Sequence, residues 1–160
     1  MRLSTAILAA VFAFGIAHAK AAEAPADWVE VAAGAMFTVK APPGTTFERI
    51  RTGDAFAGAF HGAGFDLAVE FGYKRDDVTT LAKIAMPQMA KVTIDSKPGT
   101  VVTGTASDPA HPYYAGLHVP AVENDIIGPL SLVINGTADK PETRATVERI
   151  YDSISFGFKN

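Results

Sequence analysis

The sequence predicts an α+β domain, an antiparallel β-sheet with two main helices packed on it. Three observations predict this class. Short segments of alternating apolar and polar residues dominate the chain, hairpin-like turns connect most of them, and two helix-forming segments interrupt the series. With 48% hydrophobic and 19% charged residues, the 160-residue chain suits one packed domain and excludes wholesale disorder.

The first half of the chain contains strand signals and a clear hairpin. Residues 36–41 have strand character and end at a Pro-Pro-Gly breaker, and residues 47–51 alternate like an edge strand. We expect a hairpin that turns at Gly62-Ala63 and pairs Phe60 with Phe65. Its large apolar residues then share one face of the sheet. They are Phe56, Phe60, Phe65, Leu67, Val69 and Phe71.

The second half of the chain predicts both helices. Asp77 can cap a first helix that runs to about Met86. Asp139 and Glu142 have the spacing of a capping box that opens the second helix, which leads into a terminal strand over residues 153–158. Further strands are predicted at residues 91–95, 100–106, 113–119 and 130–134, with the first two joined at Lys97-Pro98-Gly99.

The N-terminus has the three parts of a secretory signal. Arg2 precedes an apolar run, and Ala17-His18-Ala19 offers small residues at the positions that signal peptidase inspects. The apolar run is shorter than the ~20 residues that a spanning helix needs. We therefore assign residues 1–19 as a signal peptide, with cleavage after Ala19 or Ala21, and expect a periplasmic or secreted protein.

The remainder divides into a leader and one domain. Residues 20–27 are rich in alanine, proline and charge and are predicted to be a flexible leader, and residues 28–160 form the single globular domain. The chain has no cysteine, which excludes a lipoprotein, disulfides and thiol chemistry. Removing residues 1–19 deletes one of 14 basic residues, so 13 basic residues face 17 acidic ones. This balance excludes a basic nucleic-acid interface, and no later stretch is long enough to span a membrane.

No catalytic, metal or cofactor site is predicted. No serine lies in a G-x-S-x-G elbow. Asp66 and Glu70 share a strand face ~13 Å apart, beyond the ~5–9.5 Å that separates glycosidase carboxyl pairs. His61, His111 and His118 form no short metal-binding clip, and His61 with Asp66 across the hairpin turn supplies only two ligands. We therefore expect a protein that is not an enzyme.

Tyr114 and His118 are the candidate binding residues. They lie on one face of a predicted strand, with Gly116 between them, and this spacing allows them to flank a shallow groove. The alternative is ordinary sheet packing with polar tips at the surface, which is the usual behaviour of tyrosine.

The order of elements resembles the PsbP-like family, whose fold is an α/β/α sandwich. The resemblance rests on Phe37-Thr38-Val39 running into Pro43-Gly44, on the hairpin that follows, and on Val147 and Ile150 in a helix that leads to Ser153-Ile154-Ser155-Phe156. The family includes the extrinsic photosystem II protein, bacterial relatives and a Ran-binding nuclear import factor. The resemblance implies a non-catalytic role in binding other proteins, and it transfers no functional residue to this chain.

Three hypotheses for the function follow. The first is an exported accessory protein that binds an envelope or periplasmic partner protein through one face of its sheet. The second is a periplasmic small-molecule carrier with an apolar pocket beside the phenylalanine-rich hairpin, although the same phenylalanines fill an ordinary core equally well. The third is an enzyme of unrecognised type, which needs a cleft that holds perturbed titratable groups.

Overall fold

Ten strands and one helix make up the part of the chain that this computed structural model describes, residues 23–52, 55–73, 84–122 and 130–157. In chain order they are β1 (Val29–Ala33), β2 (Phe37–Ala41), β3 (Thr46–Thr52), β4 (Ala55–Gly62), β5 (Phe65–Gly72), β6 (Ala85–Ile94), β7 (Lys97–Thr105), β8 (Tyr113–Val122), β9 (Leu130–Ala138), α1 (Pro141–Asp152) and β10 (Ser155–Phe156). Within these residues, no helix is long and apolar enough to cross a membrane.

The strands form two antiparallel sheets of unequal size. The large sheet has seven strands in the order β3-β4-β5-β9-β8-β7-β6, and the small sheet has the order β1-β2-β10. The small sheet and α1 cover one face of the large sheet, which we call the inner face. The opposite face is the outer face. β3 and β6 are the two edge strands of the large sheet among the described residues.

The main core lies between the inner face and the two elements that cover it. Phe37 on β2 is 1% exposed, and its ring centroid lies 6.2 Å from that of Phe60 on β4 and 6.5 Å from that of Phe71 on β5. From the helix, Tyr151 is fully buried and donates its hydroxyl hydrogen bond to the carbonyl of Ala115 on β8, at 2.6 Å. Aromatic side chains thus join both covering elements to the large sheet.

The predicted α+β class with two main helices is wrong, because the described residues are mostly β and contain one helix. Residues 77–83 of the first predicted helix lie outside the described residues. Its last residues, Ala85 and Met86, begin β6 instead, and Ala85 pairs with Thr105 of β7. In the ladder with β7, backbone N–H and C=O groups of this segment are hydrogen-bonded to another strand. Helix propensity depends only on the local sequence, so the pairing with β7 outweighs it here.

The second helix is confirmed, but its predicted ends are wrong. α1 begins at Pro141 with Lys140 as the extended N-cap residue and no side-chain cap, because proline suits the first helical position and keeps its predecessor extended. Asp139 instead donates its backbone N–H to the carbonyl of Gly64, at 2.9 Å. The terminal strand starts at Ser155, later than predicted, because Ser153 ends the helix. The Ser153 hydroxyl donates a 2.7 Å hydrogen bond to the carbonyl of Ile150. Phe158 lies outside the described residues.

The central hairpin is confirmed, with a corrected register. All six large apolar residues predicted to share a face are buried together, but Phe60 pairs with Leu67 and the turn is Ala63-Gly64. Gly64 has a φ of +81°, which glycine adopts most easily, and this preference places the turn one residue later than expected. The pairing moves by two positions, so every side chain keeps its predicted face.

The predicted strands around residues 91–106 are also confirmed, as β6 and β7. Their turn lies at Asp95-Ser96, where both residues have positive φ, 45° and 65°, and not at Lys97-Pro98-Gly99. Two positive φ values match the twist of a two-residue hairpin. Asp95 also accepts a 2.8 Å hydrogen bond from the backbone N–H of Phe156, which connects this turn to the small sheet.

Candidate functional site

Tyr114 and His118 lie on the outer face of β8, one on each side of Gly116, as the sequence predicts. In the ladder, Gly116 stands opposite Asn135 of β9, and His118 stands opposite Val133. Tyr114 and Val133 belong to a small second cluster of buried residues on this face, with Val102. Ile84 packs against the cluster and lies directly over Gly104, where an added Cβ would be 2.4 Å from the Ile84 side chain.

The hydroxyl of Tyr114 occupies the space over Gly116 in which the sequence places a groove. A Cβ added at Gly116 would lie 2.3 Å from Tyr114 Oη, so only glycine leaves room for the ring. The hydroxyl donates a 2.8 Å hydrogen bond to Asn135 Oδ1. With 4% of its surface exposed, Tyr114 behaves as a packed and satisfied residue in this conformation. A ligand-binding role for Tyr114 and His118 stays a prediction.

His118 is hydrogen-bonded to a serine that the sequence did not connect with it. His118 Nε2 and Ser131 Oγ are 3.1 Å apart, across the β8–β9 ladder. A hydroxyl within reach of an imidazole is the first half of a nucleophile–base arrangement. Ser131, however, exposes 4% of its surface, so a substrate carbonyl does not reach Oγ in this conformation. Only the pairing of β8 with β9 brings His118 and Ser131 together, and the local sequence does not specify which strands pair.

The histidines of the described residues do not converge on a metal. Each has its own partner, and the pairs are His61 with Asp66, His111 with Asp108, and His118 with Ser131. His61 Nδ1 is 2.6 Å from Asp66 Oδ1, and Nε2 is 3.7 Å from Glu48 Oε2. Because the two carboxylates approach different ring nitrogens, the three groups cannot ligate one ion together. No cluster of three candidate ligands occurs in the part of the chain that is described.

Among the described residues, the most exposed large hydrophobic side chains lie on edge strand β6, in a segment where the sequence predicts the end of a helix. Residues 85–90 are exposed without exception, although alternate residues of the strand point to opposite faces. Met86 and Met89 are 79% and 60% exposed. The other end of the strand is anchored, because Ile94 is buried in the main core. The first half of β6 is therefore its exposed half, and we call residues 85–90 the β6 overhang.

No protein-family model matches the chain, and no curated protein matches it in sequence. The resemblance to the PsbP-like family therefore stays a prediction.

Burial of Tyr114 predicts a loss of stability at alkaline pH. Burial raises the pKa of Tyr114 to about 12, against about 10 for an unfolded tyrosine. The folded state therefore holds its proton at a pH where the unfolded state has lost it. The free energy of unfolding should fall by about 2 kcal/mol as the pH rises from about 10 to about 12. Burial also raises the pKa of Tyr151, which acts in the same direction.

Urea unfolding at a series of pH values tests this expectation. Tyr114→Phe should lose about 1 kcal/mol at neutral pH, because the hydrogen bond to Asn135 is gone, and should show a smaller alkaline loss than the wild type. An equal alkaline loss in both proteins would show that Tyr114 is not the titrating group.

Proposed function

We propose that this chain is an exported, non-catalytic accessory protein that binds a partner protein of the cell envelope, with β6 receiving an extended segment of that partner. The β6 overhang is the observation that carries the proposal. The outward edge of β6 has no partner strand among the described residues, so its backbone N–H and C=O groups can pair with an added strand. Met86 and Met89 supply adaptable apolar contacts beside that edge.

The two edges of the large sheet differ in charge, and this difference favours β6 over β3. β3 exposes Glu48 and Arg49, and charged side chains on an edge oppose the addition of another strand. The β6 overhang has no charged residue. The single charge of β6 belongs to Lys91, which lies within the segment expected to pair, but its ammonium donates a 3.0 Å hydrogen bond to Thr100 on β7, on the side away from the open edge.

Pro87 restricts which segments can add to β6. Proline has no backbone N–H, and the β6–β7 register shifts between Ala85 and Gln88. Proline and a bulge are both features that protect an edge from unspecific pairing. Pairing is therefore expected from Gln88 onward, with Met86 as a side-chain contact before the ladder begins.

The carrier hypothesis has less support from the packing. The hairpin phenylalanines, which would line an apolar pocket, are covered by the small sheet. The ring centroids of Phe60 and Phe71 lie 6.2 and 6.5 Å from that of Phe37, and the ring of Phe156 on β10 lies 6.2 Å from it. These rings fill an ordinary core.

Site-specific photocrosslinking tests the proposal. A photoreactive phenylalanine derivative replaces Gln88 on β6 or, as the matched control on the opposite edge, Glu48 on β3. In intact cells of the native host, position 88 should yield one reproducible protein adduct that position 48 does not yield. A synthetic peptide that covers the crosslinked segment should then slow amide hydrogen exchange over residues 88–93. No adduct, the same adducts from both edges, or protection elsewhere would contradict the proposal.

A charge on the β6 overhang should weaken binding of that peptide. Met89→Lys is expected to raise the dissociation constant at least ~10-fold, because an edge lysine opposes strand addition. Ile50→Lys is the control, since Ile50 is a comparably exposed apolar residue (48%) on the outer face of the opposite edge strand. Binding that is equally sensitive to both changes would place the partner elsewhere.

A further inference from the structure

We propose that Met86 and Met89 form a reversible oxidation site, at which oxidants of the peroxide class switch off partner binding by β6. In this reaction the thioether sulfur attacks one peroxide oxygen, the O–O bond breaks and an S–O bond forms. The sulfur is oxidised by two electrons, and the proton of the transferred oxygen passes to the departing oxygen. The peroxide is thereby reduced to water, or to an alcohol when the oxidant is an alkyl hydroperoxide. A thiol-dependent sulfoxide reductase reverses the change. The oxidation itself is independent of the proposed function, whereas its effect on binding rests on it.

The sulfur chemistry of this chain is concentrated on the overhang. The chain has four methionines and no cysteine, so thioethers are its only sulfur groups. Met86 and Met89 are the two most exposed large hydrophobic residues of the described part of the chain, at 79% and 60%. Met36 is half-buried and packs against the main core. Because oxidation of methionine follows exposure, an oxidant reaches the β6 pair first.

Oxidation of this pair leaves the fold in place. Neither methionine belongs to a buried cluster, and all of residues 85–90 are exposed. A sulfoxide in a core disrupts packing, whereas a sulfoxide here changes only the surface. The surface that changes is the apolar part of the proposed docking edge, which becomes polar. The oxidised protein therefore stays folded but loses partner binding, whereas the reduced protein binds.

Met86 lies in the bulge of β6, at the register shift between Ala85 and Gln88. Met86 has a φ of +50°, in the left-handed region, which costs a residue with a side chain roughly 1–2 kcal/mol relative to glycine. Glycine avoids this cost, yet the residue at this position is methionine. In partner binding, that side chain is the contact ahead of the ladder at Gln88.

The first arm of the test uses the purified mature protein and hydrogen peroxide alone. Time-resolved peptide mass mapping should show one added oxygen on Met86 and on Met89 at least ~10-fold faster than on Met36. Circular dichroism should stay unchanged, and methionine sulfoxide reductases of both stereospecificities should remove the oxygens. Oxidation of Met36 at an equal rate, or unfolding on oxidation of the pair, would overturn the assignment.

The second arm measures the effect on binding. After peroxide treatment, crosslinking from position 88 should fall at least ~5-fold and recover after reductase treatment. A Met86→Leu/Met89→Leu protein keeps the apolar surface without oxidisable sulfur, so its crosslinking should not respond to peroxide. Crosslinking that forms but ignores oxidation overturns this inference alone. Absence of crosslinking from the untreated protein overturns the proposed function, and the first arm still decides whether the oxidation site exists.

Discussion

Phe37→Ala should lower the free energy of unfolding by about 3–5 kcal/mol, because the ring joins the small sheet to the large one. Phe37 is 1% exposed, and three phenylalanine rings surround it. Truncation to alanine removes the contacts of the Phe37 ring with these three rings. It leaves a cavity between the two sheets that their movement cannot fully close. Urea unfolding, monitored by circular dichroism, measures the loss.

Lys40→Ala is the matched control for Phe37→Ala on the same strand. Lys40 is exposed, and its two hydrogen bonds with Ser153 use the backbone, so its truncation should change stability by less than about 0.5 kcal/mol. If Phe37→Ala does not fold, Phe37→Leu supplies a smaller and measurable loss. A loss below about 1.5 kcal/mol for the alanine variant would contradict the assignment of Phe37 as the link between the sheets.

Gly136→Ala should destabilise the protein by about 2–4 kcal/mol. A Cβ at this position would lie 2.5 Å from Tyr151 Oη and 2.6 Å from the carbonyl oxygen of Ala115. The methyl group therefore forces the helix and the sheet apart, and it also displaces the buried hydrogen bond between Tyr151 and Ala115. Equilibrium unfolding of the variant measures both losses together.

A double-mutant cycle with Tyr151→Phe separates the two losses. Removing the hydroxyl relieves the closest contact, so the double variant should lose less than the sum of the single variants. Gly157→Ala is the control, because its nearest neighbour would be 3.4 Å away, an ordinary contact distance. Additive losses, or an equal loss at Gly157, would show that the contact between Gly136 and Tyr151 is not what limits residue size there.

Glycine has the same role on both faces of the sheet centre. On the inner face Gly136 accommodates the hydroxyl of Tyr151, and on the outer face Gly116 accommodates that of Tyr114. Each hydroxyl finds an acceptor on a neighbouring strand, the carbonyl of Ala115 or Asn135 Oδ1. Two buried tyrosines are thereby satisfied at one place in the sheet. The hydroxyl of Tyr114 therefore lies over Gly116, between Tyr114 and His118 on β8.

Local sequence patterns predict structure correctly where the structure depends on one segment of the chain alone. The alternation from Phe56 to Phe71 placed six side chains on the buried face correctly, because the strand period depends only on the backbone. The helix over Val147 and Ile150 was found for the same reason. The ends of elements were predicted less well, since Pro141 and Ser153 act through the conformations and hydrogen bonds of their neighbours.

The candidate site depended on contacts between segments, which the sequence does not state. Nothing local to His118 indicates Ser131, because the two meet only through the β8–β9 ladder. Likewise, the sequence predicts the end of a helix at about Met86, whereas the exposure of Met86 and Met89 follows from the place of β6 at the edge of the sheet. The signal peptide over residues 1–19 lies outside the described residues and stays a prediction.

By itself, then, the sequence determined which side chains of the hairpin are buried together, that a helix precedes the C-terminus, and that no thiol chemistry is possible. These properties depend on backbone periodicity and on composition, which are local or summed quantities. The tertiary structure alone decided the strand order, the filling of the space over Gly116, and the exposure of the β6 overhang. Each of these features depends on contacts between residues far apart in the chain. Strand pairing and side-chain packing determine them only when all the strands are assembled.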